Sequence, residues 1–277
     1  MTWGNWGKQL LKKDMEALMH HCVENQITTF DHADIYGDYT TEAAFGDAFK
    51  DSGIKRDEIQ LITKCGIQYS SENRSNKVKH YDYSKDYIVW SVEESLKNLN
   101  TEYLDVLLLH RPSPLMVAED IAEAITILKK EGKIKDFGVS NFTPSQMEMI
   151  GLRTDIDINQ IEFSLTAHSA MHDGTLDYLK TCGILPMAWS PLGSVFKEDN
   201  AQTKRIHKQL GELKEKYNAT EDQLLLAWIL KHPAGIHPVI GTTTKARLKR
   251  AAEATKIDLE LEDWFMILVA SQGHKVP

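Results

Sequence analysis

The stretch YLDVLLLHRPSPLMVAEDIAEAITILKKEGKIKDFGV, residues 103–139, decides the fold. It opens on a strand-like apolar run, Tyr103 to Leu109, and closes on another, Asp136 to Val139. Between them, Asp120 to Lys130 places Ile121, Ile125 and Leu128 on one helical stripe, and Gly132 stands where a helix can end in a left-handed residue. Runs this continuously apolar are buried on both faces, and joining two of them through a helix makes a parallel βαβ unit.

Working outward, the same alternation fills the chain. Strand-like runs occur at Ile27 to Phe30, Ile59 to Thr63, Ile156 to Ile161, Ile184 to Trp189 and Ile236 to Ile240, seven with the two above. Ile88, Val92, Leu96 and Leu99 form a second helical stripe. Thr143-Pro144-Ser145-Gln146 and Thr220-Glu221-Asp222-Gln223 each offer an N-cap hydroxyl and a Gln three residues on, the pattern of a capping box. No G-x-G-x-x-G fingerprint of a doubly wound dinucleotide fold is present, and no break in composition divides the chain. The expectation is α/β class: a single (β/α)8 TIM barrel occupying 1–277 as one domain. The longest polar stretch, Tyr69 to Tyr83, reads as an active-site loop.

The 277 residues are 42% hydrophobic and 26% charged, enough apolar content for a large core and too much for a disordered class, while no run of about 18 apolar residues marks a membrane span. A net charge of −8 argues against nucleic acid and anionic membranes as partners and leaves a small molecule. Cys22, Cys65 and Cys182 lack paired spacing, so neither a disulfide framework nor a zinc knuckle is indicated. The first twenty residues carry no basic and apolar leader pattern, and a cytoplasmic location is expected.

In a barrel, chemistry gathers where strands end, so polar residues closing apolar runs are the candidates. Asp31 closes Thr28-Thr29-Phe30 and precedes Tyr36 by five positions; Lys64 closes Leu61-Ile62-Thr63; His110 closes Val106 to Leu109. Singly, each has a plain structural explanation: a turn aspartate, a loop aromatic, a solvated lysine, a core histidine. Together they make a proton donor. An ammonium beside a phenol favours loss of the phenolic proton, a carboxylate holds the ammonium, and an imidazole can orient a carbonyl oxygen. Cys65 reads as a small buried residue, and His32 and Asp34 with His110 lack the pattern that would complete a metal site.

These residues resemble the aldo-keto reductases, (β/α)8 barrels that reduce carbonyls with NADPH. The resemblance runs through Phe30 to Gly37, Leu61 to Lys64, Leu107 to Pro112 and Gly138-Val139-Ser140-Asn141-Phe142, in order over nearly the whole chain. It implies Asp31, Tyr36, Lys64 and His110 as a catalytic tetrad acting on a small-molecule carbonyl. It further implies Ser140, Asn141 and, beside Asn159, Gln160 as holders of the nicotinamide carboxamide. Trp189 falls where the family stacks an aromatic ring on the nicotinamide, and Ser190, Leu192 and Gly193 match a loop along the pyrophosphate. Gly241, Thr242, Thr243, Thr244 and Arg247 resemble the segment that grips the 2′-phosphate of NADP; Arg250-Ala251 stands where the family commonly has Glu-Asn. No metal is implied. Met1-Thr2-Trp3-Gly4 matches only the tail of the family's first barrel strand, so that strand is expected to be shortened, with Thr2 and Trp3 at the active-site rim. Two other functions remain open on this fold: a cofactor-binding regulatory or partner-binding protein without turnover, and a metal-dependent hydrolase or aldolase.

Overall fold

A computed structural model of the chain describes residues 2–277. They form two compact units, one running to Asn159 and including Gly241–Lys245, the other comprising Gln160–Ile240 and Ala246–Pro277.

The first unit begins with α1 (Lys12–Glu24) and then β1 (Thr29–Asp31). A single turn, α2 (Tyr36–Tyr39), leads into α3 (Thr41–Ser52), β2 (Gln60–Cys65), β3 (Ile67–Ser71) and β4 (Arg74–Tyr81). After these come α4 (Lys85–Asn98), β5 (Leu104–Leu109), α5 (Ala118–Lys130), β6 (Ile134–Ser140) and α6 (Pro144–Gly151). The parallel order is β1-β2-β5-β6, with Phe30 opposite Leu61, Lys64 opposite Leu108, and Leu108 opposite Gly138. Every residue of β5 is buried: Val106 to Leu109 are apolar, and Asp105 is bonded by Arg56 at 2.7 Å and Lys135 at 2.9 Å. The helices cover the sheet with the stripes read above: Ile88, Val92 and Leu96 on α4, and Ile121, Ile125 and Leu128 on α5, are all buried. Gly132 closes α5 with φ +70°. Thr143 and Gln146 cap α6 reciprocally, at 3.0 Å and 3.4 Å. At Gly46 on α3 the backbone of α4 comes so close that a Cβ would lie 2.0 Å from the Asn98 carbonyl oxygen.

Two expectations are corrected here. The Tyr69 to Tyr83 stretch is largely not a loop: β3 and β4 pair antiparallel, with Ser71 opposite Arg74 across a turn at Glu72 and Asn73. Its strand period is masked because both faces carry polar residues, so no apolar alternation marks it. Of the shortened first strand, Met1 lies outside the described residues and Thr2–Gly4 form no strand. Their carbonyls accept instead from the turn that follows, Lys8 N–H to Thr2, Leu10 N–H to Trp3 and Gly7 N–H to Gly4, each at 2.9 Å. Trp3 is buried, its ring 6.0 Å from Phe30 and 5.9 Å from Phe45.

The second unit holds most of β7 (Ile158–Glu162), then α7 (Thr175–Cys182), β8 (Leu185–Trp189), α8 (Ala201–Tyr217), α9 (Glu221–Leu230) and β9 (His237–Pro238). It ends with α10 (Lys245–Glu253), which starts at the last residue of the first unit, and α11 (Leu261–Gln272). The last strand is shorter than Ile236 to Ile240, although Val239 N–H still bonds the Ala188 carbonyl at 2.8 Å beyond Pro238. Helix α9 is apolar nearly all round, and its Trp228 is fully buried between the stacked rings of Phe163 (5.8 Å) and Trp264 (5.0 Å). Among the described residues no helix is long and apolar enough to cross a membrane.

Candidate active site

Strand pairing delivers the charged centre. Because β1, β2 and β5 are parallel and in register, Asp31, Lys64 and His110 leave the sheet at neighbouring carboxyl ends, and His110 N–H still bonds the Cys65 carbonyl at 3.0 Å. Lys64 is 1% exposed, and a lysine buried that deeply needs partners for its charge. Its Nζ lies 2.7 Å from both Asp31 carboxylate oxygens and 2.8 Å from the His32 carbonyl. The Tyr36 hydroxyl lies 3.5 Å from the same nitrogen. Burial works against the ammonium, but Asp31 and Tyr36 more than offset it, and Lys64 is held above the ordinary lysine range.

The His110 ring meets the Tyr36 ring edge-on, with centroids 5.7 Å apart. Burial first, then the Lys64 and Arg111 charges, keep His110 well below the usual histidine range, so the imidazole is neutral at pH 7. Its Nδ1 is buried without a partner among the described residues. The structure therefore brings all four sequence candidates of this group together. Sequence reading missed two supports. The His32 backbone carbonyl, which no side-chain pattern reveals, shares the ammonium. Tyr83 packs where Gly66 (φ +108°) leaves no room for a Cβ, and its hydroxyl donates to the Arg111 carbonyl at 2.5 Å, fastening the segment after His110. A glycine directly after a strand-ending Lys64-Cys65 was the available signal.

Also in the first unit, Ser140 ends β6 and accepts from Asn141 Nδ2 at 2.8 Å, while Asn141 turns the chain with φ +61°. Asn159 is fully buried; its Nδ2 donates to the Phe142 carbonyl at 3.0 Å, and its Oδ1 has no partner among the described residues. A buried, unmatched acceptor beside the Ser140-Asn141 turn suits the N–H of a carboxamide. Gly241 to Thr244 lead into α10; the Gly241 carbonyl accepts from the Thr2 hydroxyl at 2.8 Å, and the Thr244 N–H bonds Thr242 Oγ1 at 3.2 Å.

In the second unit, Gln160 is buried on β7 and Trp189 ends β8 half-buried. Ser190 (φ +52°) and Gly193 (φ +54°) turn the chain around Leu192; a Cβ on Gly193 would fall 2.1 Å from Thr166 Oγ1. Arg247 is exposed on the first turn of α10, whereas Arg250 is tied to the Asp222 carboxylate at 3.3 Å. Among the described residues no three His, Cys, Asp or Glu side chains are grouped as metal ligands.

With this geometry in place, comparison with known proteins is specific. The sequence model described as Aldo/keto reductase family matches residues 1–268. The uncharacterized oxidoreductase YcsN of Bacillus subtilis is 43% identical over 95% of this chain and 90% of its own length. A 6-dehydroglucose reductase of Agrobacterium fabrum is 39% identical over 95% of this chain and 89% of its own. An aldo/keto reductase from Klebsiella pneumoniae, solved with NADP and acetate, superposes with a TM-score of 0.81 at 24% identity, covering 96% of this chain and 88% of that one. The protein is an NAD(P)H-dependent oxidoreductase with the expected fold. It belongs to the aldo/keto reductase family.

Proposed function

We propose that this protein reduces an aldehyde or ketone to an alcohol with NADPH, and that Tyr36 supplies the proton. The observation that carries the reading is Lys64: a buried ammonium that binds the Asp31 carboxylate on one side and approaches the Tyr36 hydroxyl at 3.5 Å on the other. When bound, the nicotinamide supplies the hydride from its C4. Tyr36 gives its hydroxyl proton to the oxygen that becomes the alcohol, and the Lys64 charge stabilises the phenolate left behind. Asp31 keeps Lys64 charged and aimed. With Nδ1 of His110 buried and unpartnered, its proton belongs on Nε2, where it can donate to the carbonyl oxygen and orient it.

The remaining assignments follow family membership. Ser140, Asn141 and Gln160 hold the carboxamide, and Trp189 offers a stacking face. Ser190, Leu192 and Gly193 lie along the pyrophosphate, with Gly241, Thr242, Thr243, Thr244 and Arg247 on the 2′-phosphate. The NADP in the Klebsiella enzyme supports the choice of cofactor, and one family pattern running over residues 1–268 supports a single domain. The names of two relatives, 39% and 31% identical, make the sugar aldehyde 6-dehydroglucose a substrate to try beside simple aldehydes.

The test is NADPH oxidation across that panel with wild type and Tyr36→Phe. Turnover by wild type and its loss in the variant, with NADPH still bound, are expected. Unchanged turnover by the variant removes Tyr36 from its role, and cofactor binding without turnover on any carbonyl refutes the reaction.

A further inference from the structure

Directly after Tyr36 the backbone takes a rare course. Gly37, Asp38 and Tyr39 have φ of +60°, +58° and +63° in succession. Glycine adopts such angles freely, whereas Asp and Tyr do so against a clash between Cβ and the following carbonyl. Locally, Tyr39 N–H to the Ile35 carbonyl and Thr40 N–H to the Tyr36 carbonyl are long, both 3.3 Å, and the Thr40 hydroxyl donates to the Gly37 carbonyl at 2.6 Å.

The side chains of Asp38 and Tyr39 are held from outside the turn, by the hairpin of β3 and β4. Asn73, at its turn, donates from one amide nitrogen to both the carbonyl and the carboxylate of Asp38, at 3.0 Å each. The Tyr39 hydroxyl accepts from Tyr69 N–H at 2.9 Å, on β3. Arg74, the first residue of β4, lies 4.6 Å from the Tyr39 ring centroid and 4.7 Å from that of Trp90 on α4. Each of the two left-handed residues that pay for their conformation is thus gripped by the hairpin. The hairpin in turn continues from β2, the strand that carries Lys64, with only Gly66 between.

Strand register sets the Lys64 to Asp31 distance, whereas Tyr36, its hydroxyl 3.5 Å from Lys64, stands off the strand at the start of the turn. We infer that the hairpin is the positioning element of the proton donor: Asn73 and Arg74 lock the left-handed turn that places the Tyr36 hydroxyl against Lys64. The inference rests on the proposed role of Tyr36.

The experiment compares wild type with Asn73→Ala and Arg74→Ala, measuring kcat, KM, the NADPH Kd, Tm and hydrogen exchange of residues 37–40. Expected are faster exchange in that segment and a kcat lowered about 10- to 100-fold, the loss that follows when a reacting group is displaced by about 1 Å. Tm and the NADPH Kd stay near wild type. Adding Asp38→Gly to Asn73→Ala restores most of the kcat, because glycine keeps a positive φ unaided. A kcat within about twofold of wild type in both variants, a defect confined to KM, or no rescue by Asp38→Gly overturns the inference. An inactive Tyr36→Phe beside a fully active Asn73→Ala removes only the hairpin's role; an active Tyr36→Phe removes both.

Discussion

Replacing Lys64 with Met tests the charged centre through stability and turnover together. Met fills much of the lysine stem's volume but leaves the Asp31 carboxylate, whose side chain is only 14% exposed, without its counter-ion. Two contacts at 2.7 Å to that carboxylate and one at 2.8 Å to the His32 carbonyl vanish. Breaking a buried ion pair from one side costs about 3–5 kcal/mol. At about 2–4 °C per kcal/mol, somewhat less for a chain of this length, Tm should fall by roughly 5–15 °C. Asp31→Asn added to Lys64→Met removes the uncompensated charge and should recover at least half of that loss. It should not recover activity: both variants should show kcat reduced about 10²- to 10⁴-fold, the usual contribution of a positioned acid. The assays are a thermal melt and NADPH oxidation on any accepted carbonyl. A Tm drop under about 2 °C for Lys64→Met, or a double variant no more stable than the single, would show that the pair does not carry the load assigned to it. Turnover retained by either variant would separate Lys64 from the proton step.

Two glycines inside helices should respond oppositely to alanine. Gly46→Ala drives a Cβ to 2.0 Å from the Asn98 carbonyl and should cost about 1–3 kcal/mol, whereas Gly211→Ala on exposed α8 meets nothing within 4 Å and should gain about 0.5–1 kcal/mol. Denaturant midpoints that move in the same direction for both would contradict this. Burial, aided by the Glu42 carboxylate, pushes Asp34 up to about 7. Its native form then holds a proton that the unfolded chain releases near pH 4, so the part of the stability that Asp34 controls should decline as pH rises from about 4 to 7. Asp34→Asn removes that contribution, so wild-type Tm minus variant Tm should fall between pH 4 and 7, and parallel Tm profiles for the two proteins would refute it. Cys182 is exposed, while Cys22 and Cys65 are buried, with burial raising Cys22 to about 11 and Cys65 well above the ordinary thiol range. A thiol reagent should label Cys182 alone in the native protein and all three after unfolding; rapid native labelling of Cys65 would be inconsistent with its burial.

The parallel strands and their helices were legible because burial on both faces writes itself as unbroken runs such as Val106 to Leu109, and because Thr143 and Gln146 announce a cap within four residues. The identities of Asp31, Tyr36, Lys64 and His110 were legible for a related reason: polar residues ending apolar strands are conspicuous. The Tyr69 to Tyr83 stretch was misread because a strand pair polar on both faces has no apolar period to detect. No strand forms at Thr2–Gly4 because local turn bonds, rather than a strand ladder, take up the carbonyls there. Residue order therefore determined the class of fold and the chemical groups of the site, since both depend on local pattern. Tertiary structure alone decided that a backbone carbonyl would share the lysine's charge, that a distant tyrosine would fasten the segment after His110, and that a polar hairpin would grip the turn after Tyr36. Such contacts join residues some 28 to 35 positions apart, and no spacing rule along the chain encodes them.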